Sequence, residues 1–162
     1  MKSEWEKKGY LEESEVELPS WERLKKGSAA IIECPQEIPC DPCKVSCPNG
    51  AIELENLNAL PKVNFDLCNG CGLCVQKCPG LAIFLLQFKG DGCRVTLPYE
   101  FLPLPKKGEK VIVLNRKGEE VGEGTMVRVL SREKSMGDTT VITVEVEKKL
   151  GNKIRNIKRK NR

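Results

Sequence analysis

Cysteine is the residue type through which this chain can do chemistry, and most of its nine cysteines fall into two runs that each end in proline. The second run has the spacing C-x2-C-x2-C-x3-C-P and consists of Cys68, Cys71, Cys74 and Cys78, followed by Pro79. Thiolates at this spacing hold the irons of a [4Fe–4S] cluster in bacterial proteins. The second run therefore predicts an iron–sulfur site.

The first run repeats this pattern with one departure. It consists of Cys34, Cys40, Cys43 and Cys47, followed by Pro48. The last three cysteines keep the x2 and x3 spacings, but Cys34 lies three residues earlier than the pattern requires. Two runs in one chain predict two [4Fe–4S] clusters, and two clusters indicate a path for electrons.

Two other uses of cysteine compete with this interpretation. Disulfide scaffolds belong to exported chains, and the polar N-terminal segment lacks the apolar region of a signal peptide, so we expect a cytoplasmic protein. Zinc ribbons also use C-x2-C pairs, but here each half has three closely spaced cysteines, and the chain contains no histidine. A structural zinc-binding interaction module is therefore the less favoured alternative.

Charge and hydropathy argue against two further classes, nucleic-acid-binding proteins and membrane-spanning proteins. The formal net charge is +4, but each ligated cluster would add about −2, which leaves the loaded protein near neutrality. No basic surface for nucleic acid is predicted. No stretch approaches the roughly 20 apolar residues of a membrane span, so none is expected.

The cysteine runs belong to a longer internal repeat with an offset of 31 residues. Three cysteines, a proline, an alanine and an isoleucine of the first unit recur at this offset in the second: Cys40, Cys43, Cys47, Pro48, Ala51 and Ile52. Such self-similarity predicts two supersecondary units related by a pseudo-two-fold axis. We expect residues 31–90 to form this α+β core.

The segments around the core are less informative. Residues 1–30 form an N-terminal extension whose Trp5 and Trp21 are predicted to pack on the core, with a partner subunit as the alternative. Residues 91–105 contain three prolines in apolar surroundings and are predicted to be an extended linker.

The C-terminal part carries strand signals. Apolar residues alternate or cluster over 110–114, 125–130 and 139–146, with a turn at 115–118, which predicts a small antiparallel β module over 106–150. It contains no group of catalytic residues and no phosphate-binding glycine motif. Residues 151–162 contain six basic residues and no acid, and we expect a frayed tail.

The chain from Cys34 to about Leu86 resembles a bacterial-type 2[4Fe–4S] dicluster ferredoxin. Residues 31–43 and 97–105, together with the β segment, are similar to the ferredoxin-like subunits of FAD-dependent dehydrogenases of proline, hydroxyproline, sarcosine or glycerol 3-phosphate. This resemblance implies a hetero-oligomer with a dehydrogenase subunit and a second flavoprotein subunit. The chain itself would be a non-catalytic electron-transfer subunit between their flavins.

In two-cluster ferredoxins the fourth cysteine of each run ligates the other cluster. On this pattern the first cluster takes Cys34, Cys40, Cys43 and Cys78, and the second takes Cys68, Cys71, Cys74 and Cys47. The ninth cysteine, Cys93, is expected to be a buried thiol. A free-standing ferredoxin and a ferredoxin-type subunit of another oxidoreductase, such as a 2-oxoacid oxidoreductase, are the alternatives.

The residues between the cysteines predict unequal clusters. Gly70 and Gly72 let backbone N–H groups approach the second cluster closely, whereas Pro42 cannot donate and Asp41 adds negative charge at the first. The missing N–H of Pro42 and the negative charge of Asp41 both disfavour the reduced state of the first cluster, which is the more negative state. The first cluster is therefore predicted to have the lower reduction potential.

Overall fold

The computed structural model describes residues 3–160, which combine short helices with antiparallel strands. The helices are α1 (Glu4–Lys8), α2 (Trp21–Lys26), α3 (Pro42–Ser46) and α4 (Leu73–Lys77), with 3-10 turns at Glu13–Glu15, Arg132–Lys134 and Lys148–Leu150. The strands are β1 (Ala29–Ile32), β2 (Ile52–Glu53), β3 (Lys62–Val63), β4 (Ile83–Lys89), β5 (Gly92–Pro98), β6 (Lys110–Asn115), β7 (Glu120–Leu130), β8 (Val141–Glu147) and β9 (Ile154–Arg159). None of the helices in this part of the chain is long and apolar enough to cross a membrane.

Seven strands form one antiparallel sheet in the order β1-β4-β5-β8-β7-β6-β9, and β2 pairs with β3 beside it. Strands β4 and β5 are a hairpin in which Lys89 faces Gly92. Strand β5 then pairs along its length with β8. One sheet thus contains strands of the cysteine-rich region and strands of the C-terminal region.

The sequence repeat reappears as a repeat of elements. The order β1, cysteine loop, α3, β2 is followed by β3, cysteine loop, α4, β4, and α3 packs against α4. The outer strands β1 and β4 pair with each other, as do the inner strands β2 and β3. The residues that follow the two helices also match, because Gly50 (φ 62°) and Leu81 (φ 53°) are both left-handed.

Both core helices end at a cysteine that precedes a proline. Cys47 has φ −78° and ψ 110°, and Cys78 has φ −71° and ψ 113°, so both are extended. A proline ring disfavours helical backbone in the residue before it. Pro48 and Pro79 therefore stop the helices at the last cysteine of each run.

Strand β4 separates two hydrophobic cores. Its alternate residues Phe84, Leu86 and Phe88 join the larger core within the seven-stranded sheet, whereas Ile83 and Leu85 join a smaller core under α3 and α4. Successive side chains of a strand point to opposite faces, so one strand can serve both. The cysteine loops are thereby built onto the sheet.

Two predicted segments are corrected by the structure. The linker predicted over residues 91–105 is wrong for residues 92–98, which form β5 between β4 and β8. Pro98 is the last residue of that strand and lies beyond the end of its pairing with β4 at Thr96, and Pro103 and Pro105 come after it.

The predicted basic tail is also wrong over its described part. Residues 154–159 form β9, in which Ile154 and Ile157 are buried. These two residues lie three apart, which hides the strand from a search for period-two alternation. A register shift in the pairing with β6, between Leu114 and Asn115, accommodates this spacing.

The predicted strands over 110–114, 125–130 and 139–146 correspond to β6, β7 and β8, although β7 begins earlier than expected. The turn between β6 and β7 has Gly118 in left-handed backbone and its N–H on the Asn115 carbonyl. In the N-terminal extension, Trp21 stacks on Phe88 with ring centroids 4.3 Å apart, as the packing prediction requires.

Candidate iron–sulfur sites

The first predicted set of cysteines lines one cavity. Cys34 and Cys40 come from the loop after β1, Cys43 from α3, and Cys78 from the end of α4. The rest of the wall is largely apolar and includes Ile32, Ile38, Pro42, Pro61 and Ile83. Cys43 is buried, and the other three are partly exposed.

The second predicted set lines another cavity. Cys68 and Cys71 come from the loop after β3, Cys74 from α4, and Cys47 from the end of α3. Ala30, Ala51, Ile52 and Leu85 complete an apolar wall. Cys74 is buried and Cys71 is exposed.

The structure therefore brings the cysteines together in the two groups that were predicted, with Cys47 and Cys78 each lying in the other half's cavity. The packing of α3 against α4 explains this exchange. The cysteine that ends one helix lies beside the loop that leads into the other.

Burial and mutual repulsion make two of these thiols, Cys43 and Cys74, poor acids on their own. Burial first, and then the neighbouring Cys68 and Cys71, raise the pKa of Cys74 to about 12. Burial and the neighbouring Cys78 raise the pKa of Cys43 to about 11. Thiolates at these positions need compensating positive charge, which iron would supply while displacing the protons.

Backbone N–H groups point at three of the sulfurs. Ala51 donates to Cys47 Sγ at 3.2 Å and Ala82 donates to Cys78 Sγ at 3.5 Å, at equivalent places in the repeat. Ala30 of β1 donates to Cys68 Sγ at 3.4 Å. Donors of this kind stabilise the negative charge of ligated sulfur.

Four cysteines surround each cavity, which is the number of thiolates that a [4Fe–4S] cluster takes. A zinc ion and a cluster require different spacings of four such ligands. Structural zinc requires four ligands about 2–2.3 Å from one point. In a [4Fe–4S] cluster the four thiolates bind four different irons, so they lie farther apart.

Cys93 lies in neither cavity. It is fully buried in β5 within the larger core, beside Gly151, where an added Cβ would collide with its sulfur. Burial raises its pKa to about 12. The predicted buried thiol is therefore found, and its place in the sheet separates it from both cysteine sets.

Arg23 of α2 holds the loop of the second cavity and was missed in the sequence. Its Nε donates to the Phe65 carbonyl at 2.8 Å, and its terminal nitrogens donate to the carbonyls of Gly27, Ser28 and Cys68. One side chain thus joins α2, the start of β1 and the loop that carries Cys68. Its acceptors are backbone atoms, which leave no pattern in a sequence.

A buried trio beside the first cavity was missed as well. Arg116 Nε donates to Glu33 Oε2 at 3.0 Å, and Arg155 Nε donates to Glu33 Oε1 at 2.6 Å. Burial lowers the pKa of Arg155 to about 10, so it remains charged at neutral pH. The one sequence signal was a glutamate, Glu33, directly before Cys34.

Gln76 joins α4 to the loop between β7 and β8. Its Oε1 accepts the Met136 N–H at 2.7 Å and the Ser135 hydroxyl at 3.2 Å, and Gly137 lies against its backbone. The helix that carries Cys74 is thereby attached to the C-terminal strands.

Comparison with known proteins agrees with this geometry. Residues 61–84 match the family described as 4Fe-4S binding domain. "Pyruvate synthase subunit PorD" of Methanothermobacter marburgensis is 41% identical over 64 residues, which are 40% of this chain and 68% of that protein. The chain belongs to the 4Fe–4S ferredoxin family.

Other relatives are matched over smaller parts of their own length. "Ferredoxin-type protein NapF" of Haemophilus influenzae is 47% identical over 55 residues, which are 32% of this chain and 31% of the relative. "ABC transporter E family member 1" of Arabidopsis thaliana is 29% identical over 112 residues, 61% of this chain and 17% of the relative. No solved structure matches this ferredoxin-type chain.

These findings confirm the predictions of an iron–sulfur protein, a ferredoxin and an electron carrier. The matched 4Fe–4S domain contains Cys68, Cys71, Cys74 and Cys78 of the second run. The first run lies outside the matched residues.

Proposed function

We propose that this ferredoxin-type chain holds two [4Fe–4S] clusters in a pseudo-two-fold dicluster core and is the electron-transfer subunit of an FAD-dependent dehydrogenase complex. The observation that carries the two-cluster proposal is the pair of cavities, each lined by four cysteines from both halves of the repeat. The chain supplies no substrate chemistry of its own.

In electron transfer, the protein would hold the clusters in position and limit their contact with solvent. A [4Fe–4S] cluster in each cavity would accept and release one electron at a time, whereas a flavin can exchange two. The cysteines fix the position of each site, and the N–H groups of Ala51 and Ala82 stabilise the negative charge of the sulfurs. The apolar walls reduce the access of water to the buried Cys43 and Cys74.

The exchange of cysteines gives a short connection between the sites. Cys43 of the first set and Cys47 of the second are the third and fourth cysteines of one run, and Cys74 and Cys78 connect the sites in the opposite sense. Four residues of helix rise about 6 Å. Two such connections support a relay rather than two independent sites.

Exposed apolar side chains around the first cavity support a complex with other subunits. Ile38, Val45 and Leu57 are 46%, 76% and 54% exposed. Ile38 lines the cavity, Val45 lies on α3, and the Leu57 carbonyl accepts the N–H of Cys40. Apolar residues grouped on a surface often mark a protein interface. The resemblance of the flanking residues indicates flavoprotein partners.

The relatives favour a second candidate. PorD is a "pyruvate synthase subunit", and the shared region covers 68% of it. A ferredoxin-type subunit of a 2-oxoacid oxidoreductase is therefore the alternative assembly. A free-standing ferredoxin would have the same two cavities without a stable partner.

The test begins with the isolated chain, purified without oxygen. We expect a brown protein with about eight irons per chain and two electron paramagnetic resonance (EPR) signals on reduction. A colourless protein with zinc, or a protein with about four irons, would contradict the two-cluster proposal.

The partner is tested by tagged purification from the native host, followed by flavin analysis and substrate-dependent reduction of the clusters. An FAD-containing complex reduced by an amino acid or glycerol 3-phosphate is expected. Reduction by pyruvate without flavin would support the second candidate, and a chain that elutes alone would support a free-standing ferredoxin.

A further inference from the structure

Glu33, Arg116 and Arg155 form a buried ionic trio that the electron-transfer proposal does not use. Their side chains are 10%, 7% and 8% exposed. Arg116 contacts both carboxylate oxygens of Glu33, at 2.6 and 3.0 Å, and Arg155 contacts Oε1 at 2.6 Å. The trio joins the end of β1 to the β6–β7 turn and to β9.

The trio lies beside the first set of cysteines. Glu33 directly precedes Cys34. Both arginines line an open cavity of about 400 Å³ together with Cys34, Cys40 and Cys78. The Arg155 guanidinium also lies over the Phe84 ring, 4.7 Å from its centroid. The Phe84 ring and the Glu33 carboxylate hold the Arg155 guanidinium in position, and Glu33 joins it to the cysteine loop beside the cavity.

The trio carries excess positive charge. Two guanidinium groups pair with the Glu33 carboxylate, so these three groups sum to +1 at neutral pH, and the carboxylate of Glu13 also acts electrostatically on Arg155. Arg116 and Arg155 also donate to Asn152, and Arg155 donates to the Ile154 carbonyl. Because these partners surround the two arginines, the trio is built to place fixed charge rather than to bind an anion from solution.

We propose that this excess charge raises the reduction potential of the first cluster. The inference rests on the proposed function, since it requires a [4Fe–4S] cluster in the first cavity. One-electron reduction by an external donor would take the ligated cluster from about −2 to about −3, with no bond made or broken. A fixed positive charge in a poorly solvated surrounding stabilises the more negative state.

The consequence is that strand β9 and the β6–β7 turn set the potential of a site formed by residues far away in the sequence. The trio acts on the first cluster by its charge across space and by the peptide link between Glu33 and Cys34. Its members are therefore positioning residues. Asp41 and Pro42 lower the first potential in the sequence-based prediction, and the trio opposes their effect.

The test is a redox titration with dithionite, followed by EPR, on the full chain with both clusters. The first cluster is identified as the signal that Cys40→Ser alters. Arg155→Met removes a positive charge and should shift the first potential to a more negative value. Glu33→Gln removes the negative charge and should shift it to a more positive value. Arg155→Lys keeps the charge and should leave the potential close to that of the wild type.

Opposite shifts from two touching residues distinguish charge from loosened packing, which would move the potential in the same direction in both variants. Arg159→Met is the matched control, because Arg159 lies on the same strand and pairs with Glu109 away from the cavity. It should shift neither potential. The second potential is the internal reference in every variant.

Shifts of the same sign in Arg155→Met and Glu33→Gln, or no shift in either, would overturn the inference while two clusters remain. A wild-type chain with fewer than two clusters would instead overturn the proposed function, and the inference with it. If Arg155→Met fails to fold, the absence of a positive shift in Glu33→Gln is sufficient to reject the inference.

Discussion

The two cysteine cavities are alike in the helix and the residues after it, and they differ in the loop that precedes the helix. In both, a five-residue helix ends at a cysteine, a left-handed residue follows at Gly50 or Leu81, and an alanine N–H reaches the sulfur. Before the helix, the second loop uses left-handed glycines at 70 and 72. The residue equivalent to Gly72 is Asp41, with φ −135°.

The cavities also differ in which remote segment holds them. The first is attached to the C-terminal strands through Glu33, Arg116 and Arg155. The loop of the second is attached to the N-terminal extension through Arg23, and its helix α4 is attached to the loop between β7 and β8 through Gln76. The repeat thus provides similar cysteines, while unrelated flanks fix each loop. Segments outside the cysteine repeat are therefore structural parts of the two sites.

The largest expected difference between the two cavities comes from removing a predicted ligand. Cys34 is the one cysteine outside the standard spacing, and yet it lines the first cavity. We expect Cys34→Ala to lose the first cluster, so that the iron content falls from about eight to about four per chain after anaerobic reconstitution, or to about seven if a three-iron cluster remains. Both values are measured by iron analysis and EPR.

Cys93→Ala is the matched control for this experiment, because Cys93 is buried in β5 away from both cavities. It should retain about eight irons. The reverse result, with full iron in Cys34→Ala and loss in Cys93→Ala, would show that the first cavity is completed by a different cysteine.

A second test compares glycines in the two halves. Gly70 has φ 68° and faces the Ser28 backbone, with which an added Cβ would collide, whereas Gly50 has φ 62° and open space around it. Gly70→Ala should cost about 3 kcal/mol of unfolding free energy, from backbone strain plus overpacking, and Gly50→Ala about 1 kcal/mol.

Anaerobic denaturant unfolding measures both glycine variants, and the second EPR signal should be weakened selectively in Gly70→Ala. Equal costs in the two variants would mean that the loop moves away from Ser28 easily. The second cavity would then be less rigid than its contacts indicate.

A third test removes the attachment of the second loop. Arg23→Met leaves the carbonyls of Phe65 and Cys68 without their donor, at a cost of about 2 kcal/mol. The second cluster should be lost to an iron chelator faster than the first, as followed by EPR.

Lys158→Met is the control for Arg23→Met, since Lys158 forms an exposed pair with Glu120 and neither residue lines the second cavity. Such pairs contribute at most about 1 kcal/mol. If both variants release the second cluster at the same rate, Arg23 has no special role in that loop.

The smallest effect at neutral pH concerns the thiol outside both cavities. Burial raises the pKa of Cys93 to about 12 from 9.0. Above pH 9 the unfolded chain loses this proton while the folded chain keeps it, so the contribution to stability is present below pH 9 and falls as pH rises. The slope is about 1.4 kcal/mol per pH unit.

Unfolding free energies between pH 8 and pH 10.5 should therefore fall less steeply in Cys93→Ala than in the wild type. Lysines and tyrosines also titrate near this range, so the difference between the two proteins is the quantity to measure. Parallel curves would mean that the Cys93 thiol ionises in the folded protein as easily as in the unfolded one.

Much of the candidate site could be predicted from the sequence because its determinants are local. The spacing of Cys71, Cys74 and Cys78 places them on one loop and one short helix, and Pro79 ends that helix. The repeat at 31 residues predicted that a second, related unit exists. The apolar alternation of β8 was equally visible.

The parts that were predicted wrongly depend on distant partners. The pairing of β9 with β6 contains a register shift, and the two buried isoleucines of β9 have no strand period. Strand β5 ends in a proline that suggested a linker. The partner of β9 and the β8 partner of β5 lie far along the chain, and local sequence does not identify them.

The sequence by itself determined the ligand type, the two runs and the stops of their helices, since these follow from side-chain chemistry and from backbone restrictions within a few residues. The tertiary structure decided which charges surround each cavity. Arg155 meets Glu33 because β9 folds back onto the sheet, and Arg23 meets Cys68 because α2 packs beside the second loop. Electrostatic and hydrogen-bonding partners are chosen by distance in space, which only the folded chain defines.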